Sequence, residues 1–472
     1  MITLEELKWL SPQIIIAATA ILVMLGIAVK RNHLFSSLLT LAGLIASFIC
    51  LLNAEPGQHL ASNIFIIDGF GNYLTGLIIC ASFVITLFAY PYMQVQKTIK
   101  EEFYVLLLLA TLGADCMVIS NHFITFVLSL EVLSVSLFGF IGYLKNEKFS
   151  IEAGIKYLIM AAVGSSFILF GFALIYMATG AMDLQALNKA LNGGDLSPLV
   201  LTGLALSIVG FGFKMALVPF HLWTPDIYAG APAPSSAFVA TVSKGAAFAF
   251  LLRLFYSIGG LSHDSIWIAF AVIATASMFI GNWLALQQKN IKRMLAYSSI
   301  SHLGYLMIGF LAFSIPGMRS AAFYLTIYFV SMLAAFGLII YLSGRKGEPL
   351  MIEDYRGLFW TKPWLAAFFS VTMLSLAGVP FTAGFMGKFY LLASGMNSGG
   401  IFLLVVLVVS STIGLFYYLR VVSVMLSRNS AEVPEHVGAN SWVLKLLVGA
   451  LFILLLWFGM YPSVFLQMLS GF

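Results

Sequence analysis

Three lysines lie in the middle of long apolar stretches of the sequence: Lys214, Lys244 and Lys388. A charged side chain at the centre of a bilayer is costly, and residues of this kind commonly belong to ion or proton pathways. Burial favours the neutral form of an amine, so a lysine held at this depth can take up and release a proton near neutral pH. The three lysines therefore predict proton transfer within a membrane.

A glutamate and two histidines accompany the lysines. Glu131 lies within FVLSLEVLSVSLFGF and His302 within SSISHLGY, while His221 follows Lys214 by seven residues. A carboxylate that approaches a lysine favours its charged form, and one that withdraws favours proton release, so a Glu–Lys pair can act as a switch. Imidazole rings can relay protons, since each nitrogen can donate or accept. Hydroxyls can complete the chain, and the candidates are Ser243, Ser298, Ser299, Ser301 and Thr382.

Each of these groups also has a purely structural interpretation. One buried Lys–Glu pair could simply hold two helices together, and His302 alone could bridge two helices by hydrogen bonds. Three mid-span lysines with a glutamate and two histidines are harder to explain in this way, because ionisable groups are rare and costly in lipid. The set as a whole favours a proton-conducting protein.

Two prolines interrupt the helices that must carry these groups. Pro219 follows Lys214 by five residues, whereas Pro380 precedes Lys388 by eight. Proline lacks an N–H, so the carbonyl four residues earlier loses its helical partner and the helix must kink or break; before Pro380 that carbonyl belongs to Leu376. Broken helices beside charged groups mark ion and proton pathways in transporters.

The composition places these residues in a polytopic membrane protein. Of 472 residues, 61% are hydrophobic and 9% are charged, whereas soluble domains carry about 25% charged residues. Cys50, Cys80 and Cys116 form no metal or redox motif, and the net charge of +5 reflects basic loops rather than a nucleic-acid partner. We predict an all-α fold of about fourteen transmembrane helices, which start near Ser11, Leu34, Asn72, Phe103, Phe123, Ala153, Leu199, Pro232, Ser265, Lys292, Ser320, Pro363, Ile401 and Ser441.

The spacing of the prolines suggests an internal duplication. Val-Pro-Phe occurs at 218–220 and again at 379–381, an offset of 161 residues, and the spans starting near 103 and 264 share that offset. A unit of five spans is odd, so two copies would be inverted relative to each other. We predict a single membrane domain, residues 1–472, with repeats at about 103–257 and 264–427. Each repeat contains a proline-broken helix, and flanking helices lie within 11–90 and 441–469.

Charge asymmetry predicts the orientation. Most lysines and arginines fall in one set of alternate loops, which should face the cytoplasm; both termini are then expected on the periplasmic side. Arg253 is close enough to a span end to extend its side chain to the interface. Asp115 is interpreted as a structural residue near the outer interface, and Arg420 could bind a headgroup or pair with a carboxylate.

Three motifs resemble a known family: FKMALVPFHLWTPDIYAGAPAP, KRMLAYSSISHLGY and LSLAGVPFTAGFMGKFY. They look like the antiporter-like membrane subunits of respiratory NADH:quinone oxidoreductase, or complex I, and the resemblance covers nearly the whole chain. Among these subunits the chain most resembles the N type. Gly387-Lys388 fits that type, whereas the M type has a glutamate in the corresponding helix, and the sequence after the last span leaves no room for the long lateral helix of the L type.

The resemblance implies a proton-translocating role in the membrane arm, driven by redox energy from other subunits. By motif match, Glu131 and Lys214 would be the coupling pair, Lys244 the central lysine and Lys388 the terminal one toward the outer side. His221 and His302 would connect them. NAD, FMN, iron–sulfur clusters and quinone would be bound by other subunits and none by this chain, whose partners would be other complex I membrane subunits and lipids in a bacterial inner membrane.

Two other functions remain open. The chain could be a subunit of a multi-subunit cation/proton antiporter, which shares the same core and would have only small membrane subunits as neighbours. It could also be a scaffold that transmits conformational change without conducting protons. Such a scaffold would keep Pro219 and Pro380 as hinges and tolerate neutral residues at the lysine positions.

Overall fold

The structure, a computed structural model, describes residues 3–54, 57–96, 100–191, 196–344, 347–397, 400–427 and 442–469. The described chain is almost entirely helical. Its α-helices are α1 (Leu4–Trp9), α2 (Ser11–Val29), α3 (His33–Leu52), α4 (Gly69–Val95), α5 (Glu102–Val118), α6 (Phe123–Ile141), α7 (Lys148–Thr179), α8 (Leu184–Leu191), α9 (Pro198–Met215), α10 (Thr224–Gly230), α11 (Ala233–Phe238), α12 (Lys244–Ser257), α13 (Asp264–Leu286), α14 (Ile291–Leu311), α15 (Ile315–Leu342), α16 (Leu358–Thr361), α17 (Pro363–Ala377), α18 (Ala383–Asn397), α19 (Ile401–Leu426), α20 (Trp442–Met460) and α21 (Pro462–Met468).

Shorter elements connect these helices. A π-helical turn, Val239–Ser243, joins α11 to α12, and 3-10 turns lie at Gly260–Ser262 and Ile352–Tyr355. The strands β1 (His59–Ala61) and β2 (Phe65–Ile67) form an antiparallel hairpin between α3 and α4, with Leu60 opposite Ile66.

The predicted all-α membrane fold is confirmed. Within the described residues, 12 helices are long and apolar enough to cross a membrane, with α11 to α12 counted as one. The 17-residue α5 and the interrupted pair α17–α18 lie at the positions of the two further predicted spans. The count of fourteen spans and the two inverted repeats stay predictions.

Side chains at several helix starts bond to N–H groups that have no partner within the helix. The Asp68 carboxylate accepts from Gly71 N at 2.7 Å at the start of α4. The Asn290 side chain accepts from Lys292 N at 2.9 Å at the start of α14. At its other end, α7 stops at Gly180, whose φ of 67° is favourable for glycine.

Three spans form the centre of the protein and have no side facing lipid. The most apolar stretch of the α11–α12 span and that of α15 are 100% buried, and that of α14 is 94% buried. By contrast, the corresponding figures are 33% for α2 and α3 and 28% for α20. Residues in the buried parts of these spans are therefore surrounded by protein, and their chemistry is set by neighbouring side chains.

Both predicted proline breaks are present. α9 ends at Met215, Ala216 takes a left-handed conformation, and the chain resumes as a helix at Thr224. In the second broken span, α17 ends at Ala377 and α18 starts at Ala383. Each break frees backbone groups in the protein interior, where side chains can bond to them.

Arg253 does not extend to the interface as expected. Its side chain is only 6% exposed and forms an ion pair with Asp68 at 2.8 Å. Both guanidinium NH₂ groups donate to the carboxylate, and Arg253 Nε donates to the Val118 carbonyl at 3.2 Å. Burial raises the pKa of Asp68, but the Arg253 charge and the Gly71 N–H together lower it below its ordinary value. This contact ties the end of the α11–α12 span to the start of α4.

We expect Arg253→Met to destabilise the protein by about 3–5 kcal/mol, because it leaves the Asp68 carboxylate without its charged partner. The effect is measured by heating the purified membrane complex and recording the temperature at which this subunit is lost from it. The double variant Asp68→Asn/Arg253→Met removes both charges and should recover part of the loss. An unchanged melting temperature for Arg253→Met would show that the ion pair contributes little.

Two other polar residues have surroundings that sequence reasoning did not anticipate. Arg420 donates from its NH₂ groups to the carbonyls of Leu286 and Gln288, at 2.9 and 2.5 Å, and so caps the end of α13; among the described residues it forms no ion pair with a carboxylate. Asp115 is 0% exposed, and neither carboxylate oxygen has a hydrogen-bond partner among the described residues.

Another group of charged residues lies where the predicted cytoplasmic loops meet the bundle. Glu152 and Lys156 form the i,i+4 ion pair that their spacing suggests, at 2.8 Å, and Asp226 joins Lys156 to Arg293. Four of the basic loop residues behind the predicted orientation lie outside the described residues: Lys97, Arg345, Lys346 and Arg428.

Candidate proton-transfer site

Lys214 lies in the last turn of α9, directly before the first proline break, and is 7% exposed. Its Nζ donates to Ser134 Oγ at 2.6 Å and to the Tyr157 hydroxyl at 3.4 Å. Ser134 lies on α6, three residues after Glu131, so the predicted switch residue is one helical turn from the Lys214 partner. Among the described residues Glu131 forms no ion pair with Lys214, although the two interact electrostatically.

Tyr157 connects the surroundings of Lys214 to those of Lys244. Its hydroxyl interacts with the side chains of Ser134 and Ser243. Ser243 is the last residue of the π-helical turn, and Lys244 follows it directly. Such turns widen a helix and occur often at functional sites. Ser243, which was predicted to relay protons, therefore has a specific neighbour, the buried Tyr157.

Lys244 is the most enclosed of the three lysines, at 0% exposure. Its Nζ donates to Ser299 Oγ on α14 at 2.6 Å and lies 5.3 Å from the centre of the Tyr228 ring. The Tyr228 hydroxyl shares a 3.4 Å hydrogen bond with the same serine. A hydroxyl can accept from an ammonium or donate to an amine, so the Ser299 contact suits both protonation states of Lys244.

His302 lies within a group of tyrosines at the centre of the protein. Its Nδ1 shares a hydrogen bond with the Tyr324 hydroxyl at 2.7 Å, and its Nε2 shares one with the Tyr418 hydroxyl at 3.1 Å. Tyr418 in turn bonds to Ser298, which is adjacent to Ser299 on α14. Both imidazole nitrogens therefore have partners that can donate or accept, as a relay requires.

Lys388 bonds to the carbonyls at the second proline break. Its Nζ donates to the carbonyls of Ala377 at 2.7 Å and Leu376 at 3.3 Å, and to Ser411 Oγ at 2.7 Å. Leu376 is the residue whose carbonyl Pro380 was predicted to free. An amine at a helix C-terminus is also favourably placed in the helix dipole. Lys388 thus caps α17 from the following half-helix.

Gly378 makes room for this cap. It has a left-handed φ of 84°, and a Cβ at this position would lie 2.9 Å from Lys388 Nζ. Any larger residue would therefore collide with the lysine as well as strain the backbone.

One aromatic ring separates His302 from Lys388. The Tyr305 ring makes an edge contact with His302, with ring centres 5.6 Å apart, and its face lies 5.2 Å from Lys388 Nζ. The Tyr305 hydroxyl accepts from Asn282 at 2.8 Å. No direct hydrogen bond joins His302 to Lys388 in the described part of the chain, so a proton moving between them needs water or side-chain rotation.

Three predicted residues stand apart from this network. His221 lies in the break between α9 and α10, is 6% exposed, and has no hydrogen-bond partner for either ring nitrogen among the described residues. Of the hydroxyl candidates, Ser301 and Thr382 donate only to nearby carbonyls of their own segments, those of Tyr297 and Val379. The structure therefore connects Ser243, Ser298 and Ser299 to the lysines and His302, but it does not connect Ser301 or Thr382 to them.

Sequence reasoning missed the tyrosines that connect the lysines and histidine. These residues are Tyr157, Tyr228, Tyr305, Tyr324 and Tyr418, and all five are buried. The sequence contains 19 tyrosines, most of them in apolar stretches. Their periodicity alone does not separate a packing tyrosine from one whose hydroxyl faces a lysine or a histidine.

A profile of the family described as NADH:quinone oxidoreductase/Mrp antiporter, transmembrane region, matches residues 120–414, which include all six predicted site residues. The chain belongs to this family. As an antiporter-like membrane subunit of the complex I type, it also resembles a chain of respiratory complex I from Thermus thermophilus with bound aureothin. The two share 31% identity over 98% of this chain and 99% of that one, with a TM-score of 0.84.

Two further solved structures share the fold of this antiporter-like subunit. A chain of the Mrp complex from Dietzia sp. DQ12-45-1b is 20% identical, with 98% and 96% of the two chains covered and a TM-score of 0.85. A chain of the membrane-bound sulfane sulfur reductase, an archaeal respiratory membrane complex, is 23% identical, with 99% and 96% covered and a TM-score of 0.85. All three similar chains come from membrane complexes of several subunits.

Proposed function

We propose that this antiporter-like subunit conducts protons along the row from Lys214 through Lys244 to Lys388, within the membrane arm of a complex I. The observation that supports this most is the chemistry around the three amines. Among the described residues each is buried, and each donates to hydroxyls or carbonyls rather than to a carboxylate. A lysine without a carboxylate partner can lose its proton without leaving an uncompensated negative charge in the interior.

The order of the proposed steps follows the contacts, and their direction is the one that the family resemblance implies. A signal from a neighbouring subunit shifts Glu131 relative to Lys214, and Lys214 then releases its proton toward Lys244. Tyr157 and Ser243 lie along this step, and His221 is a second relay between the same lysines. The proton continues past His302 to Lys388 and leaves on the outer side, while Lys214 is reloaded from the inner side.

This proposal includes the finer assignments made from the sequence. The chain is an N-type subunit of a bacterial inner-membrane complex I with both termini in the periplasm, and other membrane subunits are its partners. Within the described residues no group of three His, Cys, Asp or Glu side chains is placed to hold a metal ion. NAD, FMN, iron–sulfur clusters and quinone are bound by other subunits, whose redox reaction supplies the driving energy.

The proposal is tested with Lys214→Ala in the assembled complex, reconstituted into sealed vesicles. We expect NADH-driven proton uptake to fall at least about tenfold, because the first amine of the row is missing. Lys145→Ala, which removes an exposed lysine of the adjacent predicted cytoplasmic loop, is the matched control and should pump normally. Full pumping stoichiometry with Lys214→Ala would remove this residue from the path.

The family description also names Mrp antiporters, so a cation/proton antiporter subunit is the second candidate. Purification with the native neighbours distinguishes the two: peripheral redox subunits support complex I, whereas small membrane subunits alone support the antiporter. Normal pumping with neutral residues at all three lysine positions would instead support a scaffold that only transmits conformational change.

A further inference from the structure

Asp115, on α5, is an acidic residue inside the bundle that the proposed proton path does not use. Its side chain is 0% exposed, and neither carboxylate oxygen has a hydrogen-bond partner among the described residues. No charged side chain in the described part of the chain acts on it. A buried carboxylate without a counter-charge is very costly, so it must either take up a proton or hold a cation.

Thr75, on α4, has a second buried oxygen without a partner. Its side chain is 0% exposed, and its hydroxyl forms no hydrogen bond with any described residue. The buried hydroxyls of Thr86 and Thr111 instead donate to the carbonyl four residues earlier in their own helices, at 2.7 and 2.8 Å. The Thr75 oxygen is therefore left for a ligand from elsewhere.

A contact near the predicted outer ends of α4 and α5 places these two residues opposite each other. A Cβ built on Gly71 would lie 3.3 Å from Ile119 Cγ2. Thr75 follows Gly71 by four residues, and Asp115 precedes Ile119 by four. Residues four apart share a helix face. Thr75 and Asp115 are thus one turn deeper on the faces that meet at this contact.

A second contact, deeper in the bundle, supports the same alignment. Thr111 donates to Ser82 Oγ at 2.8 Å across the interface of α5 and α4. Thr111 precedes Asp115 by four residues and Ser82 follows Thr75 by seven, so each lies on the same face as its predecessor in this comparison. The carboxylate and the hydroxyl lie between the two contacts without bonding to each other, an arrangement that a bound ion can bridge.

A cavity of about 230 Å³ lies above this pair, at the predicted outer end of the bundle. Asn72 and Ile119 line it, and each lies about one helical turn from Thr75 or Asp115. Gln13, at the start of α2, lines it as well and is 7% exposed, and its Oε1 is buried without a partner in the described chain. The cavity gives water and ions a route toward the carboxylate.

The nearby basic side chains do not neutralise Asp115. Both NH₂ groups of Arg253 donate to Asp68, and its Nε donates to the Val118 carbonyl. Lys8 lines the cavity but is exposed, so water and salt screen its charge. The counter-charge for Asp115 must therefore come from outside the described chain.

We propose that Asp115 and Thr75 bind a monovalent cation of the size of Na⁺, with Gln13 Oε1 as a further ligand on the side of the cavity. Carboxylate, hydroxyl and amide oxygens are the ligands that hard cations prefer. A monovalent ion cancels the single charge of the carboxylate, whereas a divalent ion would leave a net positive charge in the interior. The ion stays bound and ties the outer end of α4 to that of α5. This inference goes beyond the proposed function and does not depend on it.

The first test is the sodium dependence of thermal stability. We expect the temperature at which the subunit is lost from the purified complex to rise by about 3 °C between about 1 and about 100 mM NaCl, because an ion that binds only the folded state stabilises it. Choline chloride keeps the ionic strength constant. Asp115→Asn should abolish the rise. Asp264→Asn, which changes an exposed carboxylate at the start of α13, is the matched control and should retain it.

Two outcomes of this test would overturn the inference. One is a stability of the unsubstituted complex that does not change with NaCl, as expected if Asp115 only carries a proton. The other is an equal rise in the Asp115→Asn complex, which would place the bound sodium elsewhere.

A second test applies if Asp115→Asn does not assemble. Thr75→Val removes the hydroxyl with little change in size, and we expect the NaCl concentration that gives half of the rise to increase about tenfold. Thr75→Ser keeps the oxygen and should behave like the unsubstituted chain. Thr86→Val is the matched control, because the Thr86 hydroxyl bonds within its own helix. Equal sodium dependence of the Val and Ser variants at position 75 would contradict the proposed site.

A third measurement counts the ion directly. Equilibrium binding of radioactive Na⁺ should show one more bound ion in the unsubstituted complex than in the Asp115→Asn complex at the same concentration. Equal numbers would overturn the inference. NADH-driven movement of radioactive Na⁺ across sealed vesicles that Asp115→Asn abolishes would also overturn it, since the ion would then be transported and not resident. None of these readouts measures proton pumping, so failure of this site and failure of the proposed proton path are separate results.

Discussion

Lys244→Met is expected to reduce NADH-driven proton pumping by the assembled complex at least about tenfold, because removal of a positioned proton-transfer group costs this much or more. Methionine is close to lysine in length and apolar, so it should fill the fully buried site without a cavity. Ser299 would lose the amine but keep its bond to the Ala296 carbonyl at 2.8 Å. The fold should therefore survive while the row loses its central member.

The measurement is the initial rate of vesicle acidification set against the rate of NADH oxidation. Lys148→Met is the matched control. Lys148 lies in an exposed position at the start of α7, and its replacement by methionine removes the same positive charge. Loss of assembly would be seen as loss of this subunit from the purified complex. Unchanged pumping by an intact complex would place the proton path elsewhere.

Lys388→Arg is expected to be nearly as damaging, although it keeps the positive charge. A guanidinium stays protonated at any physiological pH, so it can hold the site but cannot release a proton from it. Arginine could still donate to the carbonyls of Leu376 and Ala377, which favours normal capping of α17. The expected result is an assembled complex whose pumping falls about tenfold.

This substitution separates charge from proton transfer. A structural role for Lys388 predicts that Arg is tolerated and that Met, which cannot cap the helix, is not. A transfer role predicts that both fail, with the Arg variant retaining the thermal stability of the unsubstituted complex. Lys148→Arg provides the control for the substitution itself, and normal pumping by Lys388→Arg would reduce Lys388 to a capping residue.

Local rules predicted the fold well. Apolar length marked the spans, and proline chemistry marked both breaks, because neither depends on distant parts of the chain. The free carbonyl of Leu376 was predicted, but its partner was not: Lys388 reaches back to it only because α18 folds against the end of α17. Gly378 permits that approach, and nothing in its sequence neighbourhood shows this.

Ion pairs between residues far apart in the sequence could not be predicted in this way. Arg253 was expected at the interface because no partner is near it in sequence, and Asp68 lies 185 residues away. Lys292 lies at the start of α14 and Glu348 in the loop after α15, 56 residues apart, and no sequence pattern pairs them, yet they form a buried ion pair. In each case the packing of other helices brings the two partners together, and a local sequence pattern cannot represent that packing.

The enclosed position of α12, α14 and α15 bears on how the subunit meets its surroundings. Acyl chains touch only the outer helices, so membrane thickness and fluidity reach Lys244 and His302 only through a full layer of protein. Vesicles made from short or long lipids should therefore alter the stability of the assembly more than the rate at which Lys244 exchanges its proton. The outer helices thus shield the central proton-transfer groups from changes in the lipid.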